Sequence, residues 1–434
     1  MRAAVIGAGL AGCEAAWQLN NYGIQTDLYE MKPKKLSAAH KSENFCELVC
    51  SNSLKAERIN SAAGLLKAEM EKLDSICISA AKETKVPAGG ALAVDRDKFS
   101  ELVTEKIKAA KYINIINEEV SSLPAADVVI IAAGPLASEA LSKTIRDLCG
   151  DGLSFYDAAA PIISADSIDM NFAFTQSRYD RGGEDDYINC PMDKTQYEAF
   201  YEAIIGADSA ELHSFDRKKD VYEGCMPIEV LALRGKDTMR YGPLKPVGLV
   251  NPRTGHRPWA NLQLRKENSQ GSMYNLVGFQ TNLKFGEQKR VFSMFPALHS
   301  AEFLRYGVMH RNTFINSPKL LKASFNLKSN KKIFFAGQIT GVEGYMESAA
   351  SGIMAGINAV RMLNNKTALV LPQTTMIGAL SQYISDETVE NFQPMGANFG
   401  VLPPLPEKIR DKGNRYMAYA NRAMADLNSA LEEL

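Results

Sequence analysis

Residues 3–30 read AAVIGAGLAGCEAAWQLNNYGIQTDLYE, and the run Gly7-Ala8-Gly9-Leu10-Ala11-Gly12 inside them decides the fold. The apolar residues 3–6 form a short strand. A G-x-G-x-x-G turn follows, then an amphipathic helix over roughly 11–22 with Ala15, Ala16 and Leu19 on one face. Gly23 stops the helix, and a second strand over 24–29 ends in Glu30. Gly7 allows the tight turn, Gly9 lets backbone approach a pyrophosphate, and Gly12 lets helix and strand pack closely. The helix N-terminus offers unpaired N–H groups and a partial positive charge to phosphates. Glu30 stands about 20 residues on, where a carboxylate accepts from ribose hydroxyls. The pattern is that of a dinucleotide-binding unit.

Two later stretches specify the dinucleotide. DVVIIAAG (127–134) reads as a buried parallel strand, and IFFAGQITGVEG (333–344) as a strand and Gly-rich turn leading into a helix from about 346 to 363. A dinucleotide fold that reopens near the end of the chain after a long insertion is the arrangement of FAD proteins. There the late helix aims its N-terminus at the flavin. No second G-x-G-x-x-G occurs, so a separate NAD(P)H domain is not expected. The fold class expected is α/β, a Rossmann-type FAD-binding domain with an inserted α+β domain. The FAD-binding part spans 1–165 and 325–434, and the insertion spans 166–324.

The chain has 434 residues, 46% hydrophobic and 23% charged, a soluble globular mix that calls for more than one core. No apolar run is long enough to span a membrane, and the N-terminal glycines argue for a folded strand rather than a signal peptide. A cytoplasmic enzyme is the expectation. Seven cysteines without regular spacing, and five histidines, point to neither a disulfide framework nor a metal site.

The net charge of −1 gives no global field for nucleic acid, but two basic clusters stand out. Between Arg234 and Lys266 lie Lys236, Arg240, Lys245, Arg253, Arg257 and Arg265, against Asp237 alone. A second cluster of Lys408, Arg410, Lys412, Arg415 and Arg422 opposes only Asp411. Each is either a solvated face or a surface for a polyanion.

Two cysteines sit in settings suited to chemistry. Cys50 precedes Ser51, Asn52 and Ser53, and Cys225 lies between Gly224 and Met226-Pro227, just ahead of the first basic cluster. A thiol near cations or a helix N-terminus ionises more easily and becomes a nucleophile. Cys46 and Cys50 would share a helical face as a redox pair. Their spacing is one residue shorter than that of flavin disulfide reductases. Cys13, Cys77 and Cys149 read as small buried hydrophobes, and Cys190 is left open.

The strings GAGLAGCEAAWQL, ELVCSNSLK, VPAGGALAVDRDKF, YEGCMPIEVLALRG, GPLKPVGL, FAGQITGVEGYMESAASG and FQPMGANFGVLPPL extend over nearly the whole chain. Together they resemble the folate- and FAD-dependent tRNA (uracil-5-)-methyltransferases, the TrmFO family, with the longer GidA/MnmG flavoproteins as distant relatives. The resemblance implies transfer of a one-carbon unit from methylenetetrahydrofolate to C5 of the T-loop uridine of tRNA. Reduced FAD supplies the electrons, and NAD(P)H re-reduces it. It implies Cys225 as a candidate for the thiol that adds to C6 of the uracil and Cys50 as one that works beside the flavin, on the methylene group or the C5 proton, and it leaves the division of roles between the two open. Ser51, Asn52 and Ser53 would then line the flavin-side wall.

The resemblance also places Gly7, Ala8, Gly9, Leu10, Ala11, Gly12 and Glu30 on the ADP half of FAD. It places Gly337, Gln338, Gly341, Glu343 and Gly344 near its ribityl chain and ring. Many FAD enzymes carry Asp where Gln338 stands. The Arg234–Lys266 cluster with Trp259 is the expected tRNA face, or else it reads the anionic folate tail. A ribosomal RNA target, a small-molecule flavin oxidoreductase and a flavin-bearing scaffold are the other readings. No feature specifies an oligomeric state or distinguishes NADH from NADPH.

Overall fold

The structure, a computed structural model, describes residues 1–37, 39–150, 153–180, 183, 186–210, 226–389 and 392–432. Strand β1 (Arg2–Ile6) runs into helix α1 (Leu10–Asn21) and strand β2 (Gln25–Tyr29), as the glycine pattern requires. They belong to a five-stranded sheet whose order is Ile333–Phe335, Val128–Ile131, β1, β2, Ile113–Ile116, with all neighbours parallel. Its central strands are apolar on both faces because helices cover both faces. Ala3, Val5, Val128 and Ile130 have no exposed surface. The strand from the far end of the sequence pairs Ile333 with Val129. The dinucleotide unit therefore does reopen after the insertion.

The insertion builds a second sheet. Its six strands follow the order Phe174–Thr175, Tyr187–Met192, Ala260–Lys266, Met273–Leu276, Ile162–Ser164, Phe303–Arg305, all antiparallel. It has its own core, in which Phe279 meets Phe292 and Phe295 edge-on at 5.2 and 5.8 Å. This is the α/β fold expected, a Rossmann-type sheet carrying an α+β insertion. Among the described residues no helix is long and apolar enough to cross a membrane, and no three His, Cys, Asp or Glu side chains gather as a metal site.

The helix Tyr345–Leu363 packs on α1 with almost no spacer. A Cβ on Gly352 would stand 2.1 Å from the Ala11 carbonyl oxygen, and one on Gly356 would stand 2.8 Å from that of Ala15. Because 352 meets 11 and 356 meets 15, the two helices run parallel. Further out, the helix Ala62–Lys72 carries Glu69, fully buried, whose carboxylate accepts the Met376 and Ile377 N–H groups at 2.7 and 2.9 Å. It thereby caps the helix Met376–Tyr383.

Burial pushes Glu69 up to about 8, although those two N–H groups pull the other way. A carboxyl group whose folded pKa is raised contributes stability that is complete below its unfolded value near 4.5 and lost as pH rises through about 8. The melting temperature should fall between pH 5 and pH 8, and less steeply in Glu69→Gln, which keeps an acceptor but cannot ionise. Equal slopes in thermal scans of the two proteins would count against this assignment.

Candidate active site

A cavity of about 440 Å³ opens where the carboxyl ends of the parallel strands meet the insertion. Gly7, Ala8, Gly9, Leu10, Ala11 and Glu30 line one end, Cys50, Glu343 and Gly344 line the other, and Gly337, against Ala11, lies between them with Gln338. Gly12 and Gly341, also expected in the lining, are set back. A Cβ on Gly12 would stand 1.7 Å from the Gly7 carbonyl oxygen, so this glycine serves the helix–strand contact. Gly341 has φ +81°, and a Cβ there would meet the Phe392 ring at 2.4 Å.

The first end fits the ADP half of a dinucleotide. Gly7 has φ +99°, a conformation that favours glycine. Nothing lies within 4 Å of where a Cβ on Gly9 would stand, so backbone is bare toward the cavity. Gly9 precedes α1, and no side chain caps the helix's first amides, which leaves them for a phosphate. Glu30 Oε2 accepts the Ala8 N–H at 2.8 Å and Oε1 that of Lys32 at 3.0 Å. The carboxylate thus braces the glycine turn.

At the other end a second helix N-terminus faces the cavity. Gly344, with φ +120° and no capping side chain, precedes Tyr345–Leu363. Gln338, where Asp is usual in FAD enzymes, donates from Nε2 to Glu343 Oε2 at 2.6 Å. Glu347 is buried, and its Oε1 takes Lys55 Nζ at 2.7 Å and the Ala397 N–H at 2.9 Å. Lys67 is also buried and donates to the Leu54 carbonyl. Burial lowers it to about 8, while the charge of Glu347 works in the opposite sense.

Cys50 is half-buried on this wall, with its sulfur 2.9 Å from the Tyr345 hydroxyl oxygen. The same oxygen accepts the Cys50 N–H at 2.8 Å and the Ser51 N–H at 3.3 Å. Two amides occupy its lone pairs, so the phenol proton is left to point at the sulfur. Tyr345 is held well above the usual tyrosine range, first by burial and then by the neighbouring thiol, and stays a neutral donor. An O–H donor aimed at sulfur favours the thiolate.

Three arginines hold the loop that carries Cys50. Arg96 donates to the Leu48 carbonyl at 2.7 Å and to Glu267 Oε2 at 2.8 Å. Arg265 donates to Asn52 Oδ1 and Ser51 Oγ, each at 3.0 Å, and Arg305 donates to the Val49 carbonyl. Burial works against the charge of Arg96, but Glu267 more than restores it. Burial lowers Arg305, and so does the nearby charge of Arg96.

Of the three residues expected on the wall, Ser51 and Ser53 line the cavity. Asn52 instead turns inward and donates to the Val94 and Lys266 carbonyls at 3.0 and 2.8 Å. Cys46 and Cys50 are not on a helix. Cys46 is buried with φ +52°, and it and Cys50 are both free thiols. Cys225 lies outside the described residues.

The first basic cluster is divided. Arg265 is consumed in the interior, whereas Arg240 lies over the Trp259 ring at 3.8 Å, beyond the opposite end of the strand Ala260–Lys266. At ~3.3 Å per residue that is about 20 Å away. Tyr345, Arg96, Arg305, Lys55 and Glu347 were not singled out by the sequence. Tyr345, Glu347, Arg96 and Lys55 lie inside the strings that carry the family resemblance, and that was the available signal.

The family model described as glucose inhibited division protein A matches residues 2–367. The methylenetetrahydrofolate–tRNA-(uracil-5-)-methyltransferase TrmFO of Acetivibrio thermocellus is 59% identical over 97% of this chain and 96% of its own length. The protein of the same name from Enterococcus faecalis is 56% identical over the same shares. The chain belongs to the TrmFO family, within the wider GidA group. GidA of Aquifex aeolicus shares the fold, with a TM-score of 0.72 at 16% identity over 99% of this chain and 76% of that one.

In a TrmFO protein built this way, two glycines of one motif should fail differently. Gly9→Ala places a methyl group in open cavity, so melting of the FAD-free protein should change little while FAD content drops. Gly12→Ala drives a methyl into backbone and should destabilise the protein itself by about 1–3 kcal/mol. Absorbance at the flavin band and thermal melting of both variants check this, and similar behaviour of the two would refute the division of roles.

Proposed function

We propose that this chain is a methylenetetrahydrofolate–tRNA (uracil-5-)-methyltransferase that converts the T-loop uridine to ribothymidine in the cytoplasm. One observation carries the reading beyond family membership. A thiol with a phenol proton directed at it stands on the wall of a cavity whose far end suits a dinucleotide phosphate. Gly7 to Ala11 and Glu30 would hold the ADP half of FAD, and Gly337, Gln338, Glu343 and Gly344 the ribityl and ring end. Gly12 and Gly341 act from behind by shaping the backbone. When bound and reduced, FAD supplies the electrons that take the folate-derived carbon to the methyl level, with NAD(P)H as their source.

The chain's own groups do the rest. Uracil C5 is a weak nucleophile. Addition of the Cys225 thiolate to C6 places negative charge on C5 and O4, and C5 then bonds to the folate-derived carbon as that carbon's bond to the folate nitrogen breaks, the electron pair leaving on nitrogen. Removal of the C5 proton lets the C6–S bond break and restores the ring. Cys50 is assigned that proton: as a thiolate it is the base, and Tyr345 holds its sulfur through the hydroxyl. Arg96 and Arg305 fix the loop and add positive potential where the anion forms. Ser51 and Asn52, tied to Arg265, keep that wall rigid.

The test supplies purified protein with labelled methylenetetrahydrofolate, NADPH and an unmodified tRNA transcript, with a ribosomal RNA fragment in parallel. Ribothymidine should appear on the tRNA when every component is present. Cys50→Ala and Cys225→Ala should each keep FAD and lose about 100-fold or more in single-turnover methyl transfer. Tyr345→Phe, which keeps both thiols, should lose roughly tenfold. Full turnover by Cys50→Ala would remove this thiol from the chemistry.

A further inference from the structure

We propose that the C-terminal helix Lys412–Leu431 and the segment before it form a docking face for the RNA backbone beside the cavity, separate from the Arg240–Trp259 end of the insertion. This rests on the proposed tRNA substrate and names the surface that receives it. The segment is strongly cationic. From 408 to 422 the sequence carries five Lys or Arg against Asp411. That acid is already engaged as the helix N-cap, accepting the Asn414 N–H at 2.8 Å. Arg422 donates to the Pro403 and Pro404 carbonyls at 2.6 and 2.9 Å, and Arg415 to the Ile409 carbonyl at 3.2 Å. These partners are neutral, so the contacts orient the guanidinium groups without cancelling their charge. Lys408, Arg410 and Lys412 are exposed.

Aromatic rings are interleaved with these cations. Phe399 lies 4.5 Å from the Tyr416 ring and 5.5 Å from the Tyr419 ring, nearly parallel to the second at 20°. Lys412 stands over Tyr416 at 5.5 Å, and Arg422 over Tyr419 at 5.3 Å. A face that alternates fixed cations with π-surfaces suits a phosphate backbone with its bases.

The face also adjoins the cavity. Met395 donates to the Gly341 carbonyl at 2.9 Å and accepts from the Glu343 N–H at 2.8 Å. Phe399 therefore lies four residues beyond a segment that is bonded to the cavity-lining Glu343. A polynucleotide with one base in the cavity must lay its neighbouring phosphates over the adjoining surface.

The experiment uses the full chain with bound FAD and an unmodified tRNA transcript. Lys408, Arg410 and Lys412 are changed together to Gln, and in a second protein to Glu. Arg240→Gln serves as the contrast. Fluorescence anisotropy at several salt concentrations gives Kd and its salt slope. The triple variants should bind about tenfold or more weakly, with a slope reduced by roughly two to three. Methyl transfer should show a raised KM for tRNA with kcat kept, and FAD content and melting should match the parent. An unchanged Kd and slope in both triple variants, in a parent that binds and methylates tRNA, would overturn the docking face alone. That result is also expected if an acidic protein is the true occupant. A parent that neither binds nor methylates tRNA would overturn the proposed function as well. If the Gln protein alone melts normally, its Kd decides.

Discussion

The site depends on the close crossing of α1 with the helix Tyr345–Leu363. Gly352 and Gly356 supply no side chains where the backbone at Ala11 and Ala15 presses against them. With the helices parallel and 352 level with 11, the longer one projects seven residues past that level, about 10 Å at ~1.5 Å per residue. Both N-termini consequently open on one cavity, displaced along it. Neither has a side-chain cap, so two sets of unpaired amides and two positive dipole ends face the same space. A larger residue at 352 would splay the helices and uncouple those ends. Gly12 does the same service on the other side of α1, holding the helix against the turn at Gly7.

Across the cavity the constraint is electrostatic rather than steric. Arg96 and Glu267 form an ion pair with side chains only 12% and 2% exposed. Pairs this buried contribute little to net stability, because desolvation offsets the attraction. Their value lies in geometry. Glu267 belongs to the chain just after the insertion strand Ala260–Lys266, and Arg96 to the helix Arg96–Ala109 of the dinucleotide unit. The pair therefore fixes the two units together at the loop that carries Cys50. Arg265 and Asn52 repeat the link two residues before Glu267. A loop held at Leu48, Val49, Ser51 and Asn52 has little freedom left at Cys50, which explains how its sulfur keeps a contact with a tyrosine 295 residues distant in sequence.

The range of each interaction decided whether it could be read from sequence. The turn at Gly7 to Gly12 with Glu30, and the later strand and turn at 333–344, are local patterns whose chemistry is set by neighbours in the chain. They were legible, including the return of the last strand to the first sheet. Gly12 and Gly341 were legible as special glycines, but whether a bare Cα faces a ligand or another backbone depends on long-range packing. Tyr345 was invisible as a partner for Cys50 because nothing local marks a buried phenol. Arg265 sat in a basic run that looked like a single charged face. Only the fold shows that one of its members is buried in a seam while Arg240 lies at the far end of the same strand.

The GidA model ends at residue 367. Both helix N-termini, Glu30, Cys50 and Tyr345 lie inside it, so the matched part contains the glycine turn and the thiol. Residues beyond that boundary nevertheless back the cavity wall. Met395 and Ala397 bind back to Gly341, Glu343 and Glu347 through three backbone N–H contacts. Glu347 is the sharpest case. Its buried carboxylate is shared between Lys55, on the segment just after Cys50, and the Ala397 amide. Removing either partner would leave a buried charge short of a hydrogen bond, a cost of the order of 1–3 kcal/mol. The C-terminal segment is thus tied to the wall that carries Cys50 through one buried carboxylate.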